Sequence, residues 1–372
     1  MNLRPAMLLA LFGALGMMLS CSGTTPVVLP KSEAPAPVFS EIGSHVLPET
    51  RRVELDVRVV LNDISDKAKR VQIWVPTPGA STAQTIMEPI IESPVAYRPI
   101  LRLDQVYNSP SIFLIIDEPL QQEYTDKMHP LPKEVRLGYT MQVERRRVSA
   151  VPSKPGQEYS PMVMVAPEEF RKQFAADLKP LSEADDPKKL LDVAKLLAAV
   201  PAATDNTILA PARAIYNYVV DTFAPADASA SSIKETFETR RGTALDYALA
   251  TTALMRAAGI PAHVESGFYL PENRSADPVE LKERAAWVVF YVSGAGWTAC
   301  DPYLADRSPE LKDYLFGGLD ANRVQMSVGP APGLMPPPES GAPLVLKDVL
   351  AEADGKPMPA AMTVRFRDVC AK

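Results

Sequence analysis

Between Thr243 and Asp301 the chain gathers most of the side chains that could do chemistry: Thr243, Asp246, His263, Cys300 and Asp301, flanked by Trp287 and Trp297. A hydroxyl such as that of Thr243 attacks an acyl carbon only when a strong base takes its proton. His263 is the histidine near enough to serve, and none follows it before Lys372. Together they would make an unorthodox hydrolase or acyltransferase. The plainer roles are a helix N-cap for Thr243 and a strand histidine bonded to its neighbours for His263. Cys300 precedes Asp301 directly, and strand alternation sends the two side chains to opposite faces. Asp301, followed by Pro302, suits a carboxylate that holds turn amides, and Asp246 suits a brace for a helix start. Trp287 and Trp297 read as core walls first and pocket walls second. His45, His129 and His263 are scattered, so no cluster has metal-ligand spacing. Asp185-Asp186 reads as an acidic helix start. There is no phosphate loop or dinucleotide fingerprint. No metal and no cofactor are expected.

Two kinds of element must position these groups. From Arg52 to Leu61, apolar Val53, Leu55, Val57 and Val59 alternate with charged residues, which predicts a half-buried strand. Further strands are predicted at 71–75, 112–116 and 135–143, separated by Pro- and Asn-rich turns. Strands at this spacing predict an antiparallel β-sandwich over residues 49–150. The period then becomes helical. Leu190 to Ala198, Pro211 to Phe223 and Thr243 to Ala258 predict three helices, the last stopped by Gly259 and Pro261. Strands return at 262–270, 286–292 and 297–301, the last two joined by a compact turn at Ser293–Gly296. Helices followed by an antiparallel sheet predict an α+β core.

Four blocks carry a resemblance. They are Gly242-Thr243-Ala244-Leu245-Asp246-Tyr247-Ala248, then Arg256-Ala257-Ala258-Gly259-Ile260-Pro261-Ala262-His263, then Arg284-Ala285-Ala286-Trp287, then Gly296-Trp297-Thr298-Ala299-Cys300-Asp301. The set resembles the transglutaminase-like superfamily. There the blocks read G-x-C-x-D-y-A, R-A-x-G-I-P-A-R, H-x-W and G-W-x-x-x-D, and their Cys, His and Asp make a papain-like triad. The stretch from Asp313 to Val324 is similar to a D-Y-x-F-G-x-L-D-x-N-R-V block of one bacterial branch, and Ile73-Trp74-Val75-Pro76 to a strand of the domain that precedes some of these cores. The resemblance implies a transglutaminase-like (papain-like) α+β core, helices packed on an antiparallel sheet, over residues 206–345. A β-sandwich precedes it, with a helical connection over 151–205 and a C-terminal segment over 346–372. It implies a degenerate triad: Ala244 stands where the Cys would be, Ala285 where the His would be, and Asp301 remains. Without thiolate and imidazole no acyl-enzyme forms by that route.

The N-terminus reads as an export signal. Arg4 precedes an apolar stretch, Ala6 to Leu19, too short to span a membrane as an ordinary helix. Met18-Leu19-Ser20-Cys21-Ser22 resembles the bacterial lipobox, which implies a signal peptide over 1–21 and an acyl anchor such as palmitate on Cys21. Ser22 is not Asp, which implies outer-membrane sorting, facing the periplasm. Residues 22–48 read as a disordered tether. With Cys21 lipidated, Cys300 and Cys370 remain, and they either bridge or sit as small buried residues. A net charge of -6 excludes a nucleic-acid binder. Three function classes follow. The first is a non-catalytic module whose groove (Thr243, Asp246, His263, Trp287, Trp297) holds a peptide, a peptidoglycan stem or an envelope protein. The second is the hydrolase or acyltransferase built on Thr243 and His263. The third is a structural subunit of an envelope complex.

Overall fold

The computed structural model describes residues 50–93, 98–117, 131–148, 172, 175–179, 181, 193–203, 209–230, 232–292, 296–329, 333–341 and 345–369. The export segment with Cys21, the tether over 22–48, His45, His129, Asp185-Asp186, the turn residues 293–295 and Cys370 lie outside the described residues.

The first part of the chain runs β1 (Thr50–Leu61), β2 (Arg70–Pro76), β3 (Gln84–Ile86), β4 (Ile90–Glu92), β5 (Ile100–Leu103), β6 (Pro110–Asp117) and β7 (Val135–Arg146). Short helical segments follow, α1 (Ala175–Leu178) and α2 (Val193–Leu197), then α3 (Ala210–Thr222). Next come β8 (Ala224–Pro225), α4 (Ile233–Thr239), β9 (Arg241–Gly242) and α5 (Ala244–Ala257). After them stand β10 (Ala262–Tyr269), β11 (Val279–Glu280), β12 (Arg284–Val292), β13 (Gly296–Cys300), α6 (Pro302–Arg307) and β14 (Arg323–Val328). The chain closes with β15 (Leu350–Ala353), β16 (Lys356–Pro357) and β17 (Ala361–Asp368).

Two antiparallel sheets form the sandwich, ordered β11-β17-β1-β7-β3 (with β4 on β7) and β16-β15-β2-β6-β5. The alternation read in β1 is realised: Val53, Leu55, Val57 and Val59 are buried while the residues between them are not. Residues 346–372, read from sequence as a segment of their own, supply three of these strands, β15, β16 and β17. Strand β17 lies between β11 and β1, and β15 pairs with β2. The short alternation Ala361–Asp368 finds its strand partners in β1 and β11.

Helix α5 packs on a four-stranded antiparallel sheet, β13-β12-β10-β14, and α3 packs against α5 and α6. Ala248 and Leu254 of α5 share one core with Ala286, Val288 and Phe290 of β12. Each fully buried side chain the size of Leu or Phe contributes about 1.5–3 kcal/mol. The helix stops at Gly259, which takes φ +79°, while Ile260 N–H returns to the Met255 carbonyl at 2.9 Å; a left-handed residue there is cheap only for glycine. The two halves share apolar packing, since Phe268 of β10 and Val324 and Met326 of β14 join the sandwich core. Gln84 stitches them further: its amide N–H donates to the Gln325 carbonyl at 2.8 Å, and its amide oxygen accepts from Gln325 N–H at 2.9 Å. No helix among the described residues is long and apolar enough to cross a membrane.

Candidate functional site

Helix α5 begins at the floor of a cleft of about 480 Å³. Thr243 is its N-cap in extended conformation, φ -84° and ψ 178°. Asp246 turns back and accepts from Thr243 N–H at 2.7 Å and from Thr243 Oγ1–H at 2.8 Å. This brace needs Gly242: a Cβ there would stand 2.4 Å from that of Asp246. The strand-to-helix junction is therefore fixed, and it places Ala244, the first helical residue, in the cleft lining. Ala285 reaches the same lining from β12, where it pairs with Gly267 of β10. Gly267 in turn is crowded by β14, because a Cβ on it would lie 1.8 Å from the Val324 carbonyl oxygen. The two positions read as vacated nucleophile and base thus face one cavity.

Asp301 does not line it. Its carboxylate is fully buried in an ion pair with Arg323, also fully buried, at 2.8 Å. Tyr269 O–H donates to the same Oδ2 at 2.9 Å, and Oδ1 accepts from Leu304 N–H at 2.9 Å, capping α6. Asp320 holds the other end of Arg323 at 3.0 Å. Burial opposes the charge on Arg323, yet the Asp320 and Asp301 carboxylates overcome it and hold its pKa above the ordinary value. Burial pushes the other way on Asp320, and its pairing with Arg323 keeps that carboxyl below the usual range. The Trp287 ring lies 5.1 Å from the Arg323 guanidinium, and its indole N–H donates to Glu265 at 2.8 Å.

The remaining candidates divide between the cleft and elsewhere. Thr243 lines the cavity, while Asp246, His263, Trp287 and Trp297 are not in its lining. His263 Nδ1 sits 3.0 Å from Asp177 Oδ1, under the rings of Tyr107 and Trp297 at 5.2 and 4.9 Å. Trp297 is 44% exposed, whereas Trp287 is wholly enclosed. Cys300 is a free thiol in the helix-facing core, and burial pushes its pKa well up, with the Asp301 charge adding to that. It is not a poised thiolate. Three contributors were not visible in the sequence. Ser229, Ser266 and Lys347 line the cleft from segments far apart in the chain. Ser229 Oγ lies 3.1 Å from Thr243 Oγ1 and accepts from Lys347 Nζ at 3.3 Å. The segment carrying Lys347 is tied down by Arg284, whose guanidinium meets Asp348 at 2.8 Å.

Residues 196–302 match the model of the transglutaminase-like superfamily. This stretch is a transglutaminase-like domain. Its match ends just past Asp301, so β14 and Arg323 lie beyond the matched residues. Among solved structures, a candidate cysteine protease from Cytophaga hutchinsonii covers 87% of this chain and 93% of its own, with a TM-score of 0.55 at 13% identity. At that identity the likeness shows the fold, and it extends through the sandwich as well as the transglutaminase-like domain. A candidate protease from Parabacteroides distasonis ATCC 8503 is 10% identical, covering 67% of this chain and 63% of its own, with a TM-score of 0.23; no likeness of fold follows from that score. No curated protein matches the chain.

Proposed function

We propose that the protein is a lipid-anchored periplasmic lipoprotein whose transglutaminase-like domain binds rather than reacts. The cleft holds an extended peptide, from a peptidoglycan stem or an envelope protein. The observation that carries this reading is the presence of Ala244 and Ala285 in the lining of one cleft. A triad enzyme would place its thiolate and imidazole there, and methyl groups offer neither a nucleophile nor a base. Asp301, which would orient the imidazole, is occupied by Arg323, Tyr269 and the start of α6. A hydroxyl mechanism finds little support: Thr243 donates to Asp246, and His263 is bonded to Asp177 outside the lining.

The test is to restore what is missing. In Ala244→Cys with Ala285→His, the new thiol at the helix start is expected to be alkylated at neutral pH faster than a free cysteine, showing a functional frame with an absent reagent. Cys300 contributes little background because it is buried. The wild-type chain is expected to show no amidase, protease or transglutaminase turnover. Wild-type turnover that Thr243→Ala or His263→Ala abolishes would refute the reading. The anchor is tested separately: Cys21→Ser is expected to leave the membrane fraction, and unchanged processing and attachment would remove the lipoprotein assignment.

A further inference from the structure

The cleft carries more than an absence, and what remains in it suits a particular group. The first-turn N–H groups of a helix have no intrahelical acceptor and favour a negative charge. Here the first turn belongs to the 14-residue helix α5, and both Ala244 and Leu245 line the cleft. A second and independent feature is Ser266. It lines the same cleft, is only 2% exposed, and its Oγ has no hydrogen-bond partner among the described residues. A buried hydroxyl left unmatched is costly, and a ligand atom that accepts from it would recover that cost.

The charges of the lining agree. Two of its acids are already neutralised, Glu283 by Arg307 and Asp348 by Arg284. Among the described residues Lys347 reaches only the Ser229 hydroxyl, and Lys282 is exposed, with Asp227 in the lining and Asp246 at the helix start as the acids that oppose them. The chemistry of the vacated positions supplies the last step. A triad handles a carbonyl, which presents one oxygen to the helix start while a thiol and an imidazole fill the space beyond. With methyls at Ala244 and Ala285 that space is open to a second oxygen.

We propose that the cleft binds a free carboxylate, the C-terminus of a peptide, between the start of α5 and the hydroxyls and ammonium of Ser266, Ser229 and Lys347. The proposal rests on the binding-module reading and names its ligand class. The full chain, labelled with ¹⁵N at Ala and Leu, is titrated with N-acetyl-alanine and, separately, with N-acetyl-alaninamide, which is neutral and otherwise alike. The Leu245 amide resonance is assigned through Leu245→Met. The acid is expected to shift the Ala244 and Leu245 amides and to bind at least about tenfold more tightly than the amide, the ratio that about 1.4 kcal/mol gives. Ser266→Ala and Lys347→Gln are each expected to weaken the acid about fivefold, as loss of one hydrogen bond does. Ala244→Asp, which puts a fixed carboxylate at the helix start, is expected to abolish binding while the rest of the spectrum stays folded. Equal binding of acid and amide would overturn the carboxylate assignment and leave a neutral peptide groove standing. No shift with either probe would overturn both this proposal and the groove itself.

Discussion

Asp301 offers the sharpest separation of a structural from a catalytic role. In Asp301→Asn the size and the cap on α6 are kept, since the remaining amide oxygen still accepts from Leu304 N–H, while the charge opposite Arg323 is lost. Both members of the pair are fully buried. Breaking a buried pair by removing one partner costs about 3–5 kcal/mol. Arg323 keeps Asp320 at 3.0 Å, so it is not wholly orphaned, and the lower end of that range applies: about 3 kcal/mol. Asp301→Ala also removes the cap, adding about 1 kcal/mol. Against a typical total of about 5–15 kcal/mol, both variants should fold but with clearly reduced midpoints. Urea unfolding followed by tryptophan fluorescence suits the measurement, because Trp287 lies 5.1 Å from the Arg323 guanidinium and reports on the same cluster. A loss below about 1 kcal/mol for Asp301→Asn, the scale of an exposed pair, would refute the view that Asp301 persists as the counter-charge of Arg323.

Two further outcomes follow from the same packing. Asp320 and Asp368 are both held below the usual carboxylate range despite burial, by Arg323 and Arg51 respectively. Their stabilisation is therefore complete above the unfolded value of about 3.9 and is lost as pH falls through the depressed folded values. Thermal stability should fall steeply below about pH 4, and Asp320→Asn, less stable at neutral pH, should flatten that slope; an unchanged slope would exclude Asp320 as a source. Gly267→Ala forces a Cβ to within 1.8 Å of the Val324 carbonyl, so β10 and β14 must separate, at about 3 kcal/mol; a midpoint equal to wild type would show that the strands do not meet this closely.

The fold was legible where side-chain periodicity is strong. The alternation of β1 and β7, the helix stop at Gly259 and the return of strands after Ala262 all follow from local sequence, because local pattern decides which face is buried. Strand β17 was less legible. Its short alternation acquires meaning mainly from β1, about 300 residues earlier in pairings such as Val57 with Val364, and no local signal carries such a partner. The same distinction divides the cleft. Thr243, Ala244 and Ala285 were found through contiguous blocks, whereas Ser229, Ser266 and Lys347 are ordinary surface or strand residues until the fold converges them.

The block from Asp313 to Val324 shows what holds Asp301 in place. Its residues are engaged one by one: Asp320 pairs with Arg323, and Asn322 accepts from Arg51 at 2.9 Å. Val324 enters the sandwich core, and Arg323 ends on Asp301. Arg51 in turn holds Asp368 of the last strand at 2.9 Å. Asp301 is thus one end of a chain of buried charges that runs through Arg323 and the Asp320–Asn322 loop to Arg51 and the C-terminal strand. Alanine at 244 or 285 removes nothing from that chain, because both methyls face only the cleft lining and apolar neighbours. A change at Asp301 leaves an arginine charge in the core. The difference in cost, near zero against about 3 kcal/mol, separates the two kinds of position: Asp301 is held by the buried charges around it, and residues 244 and 285 are not.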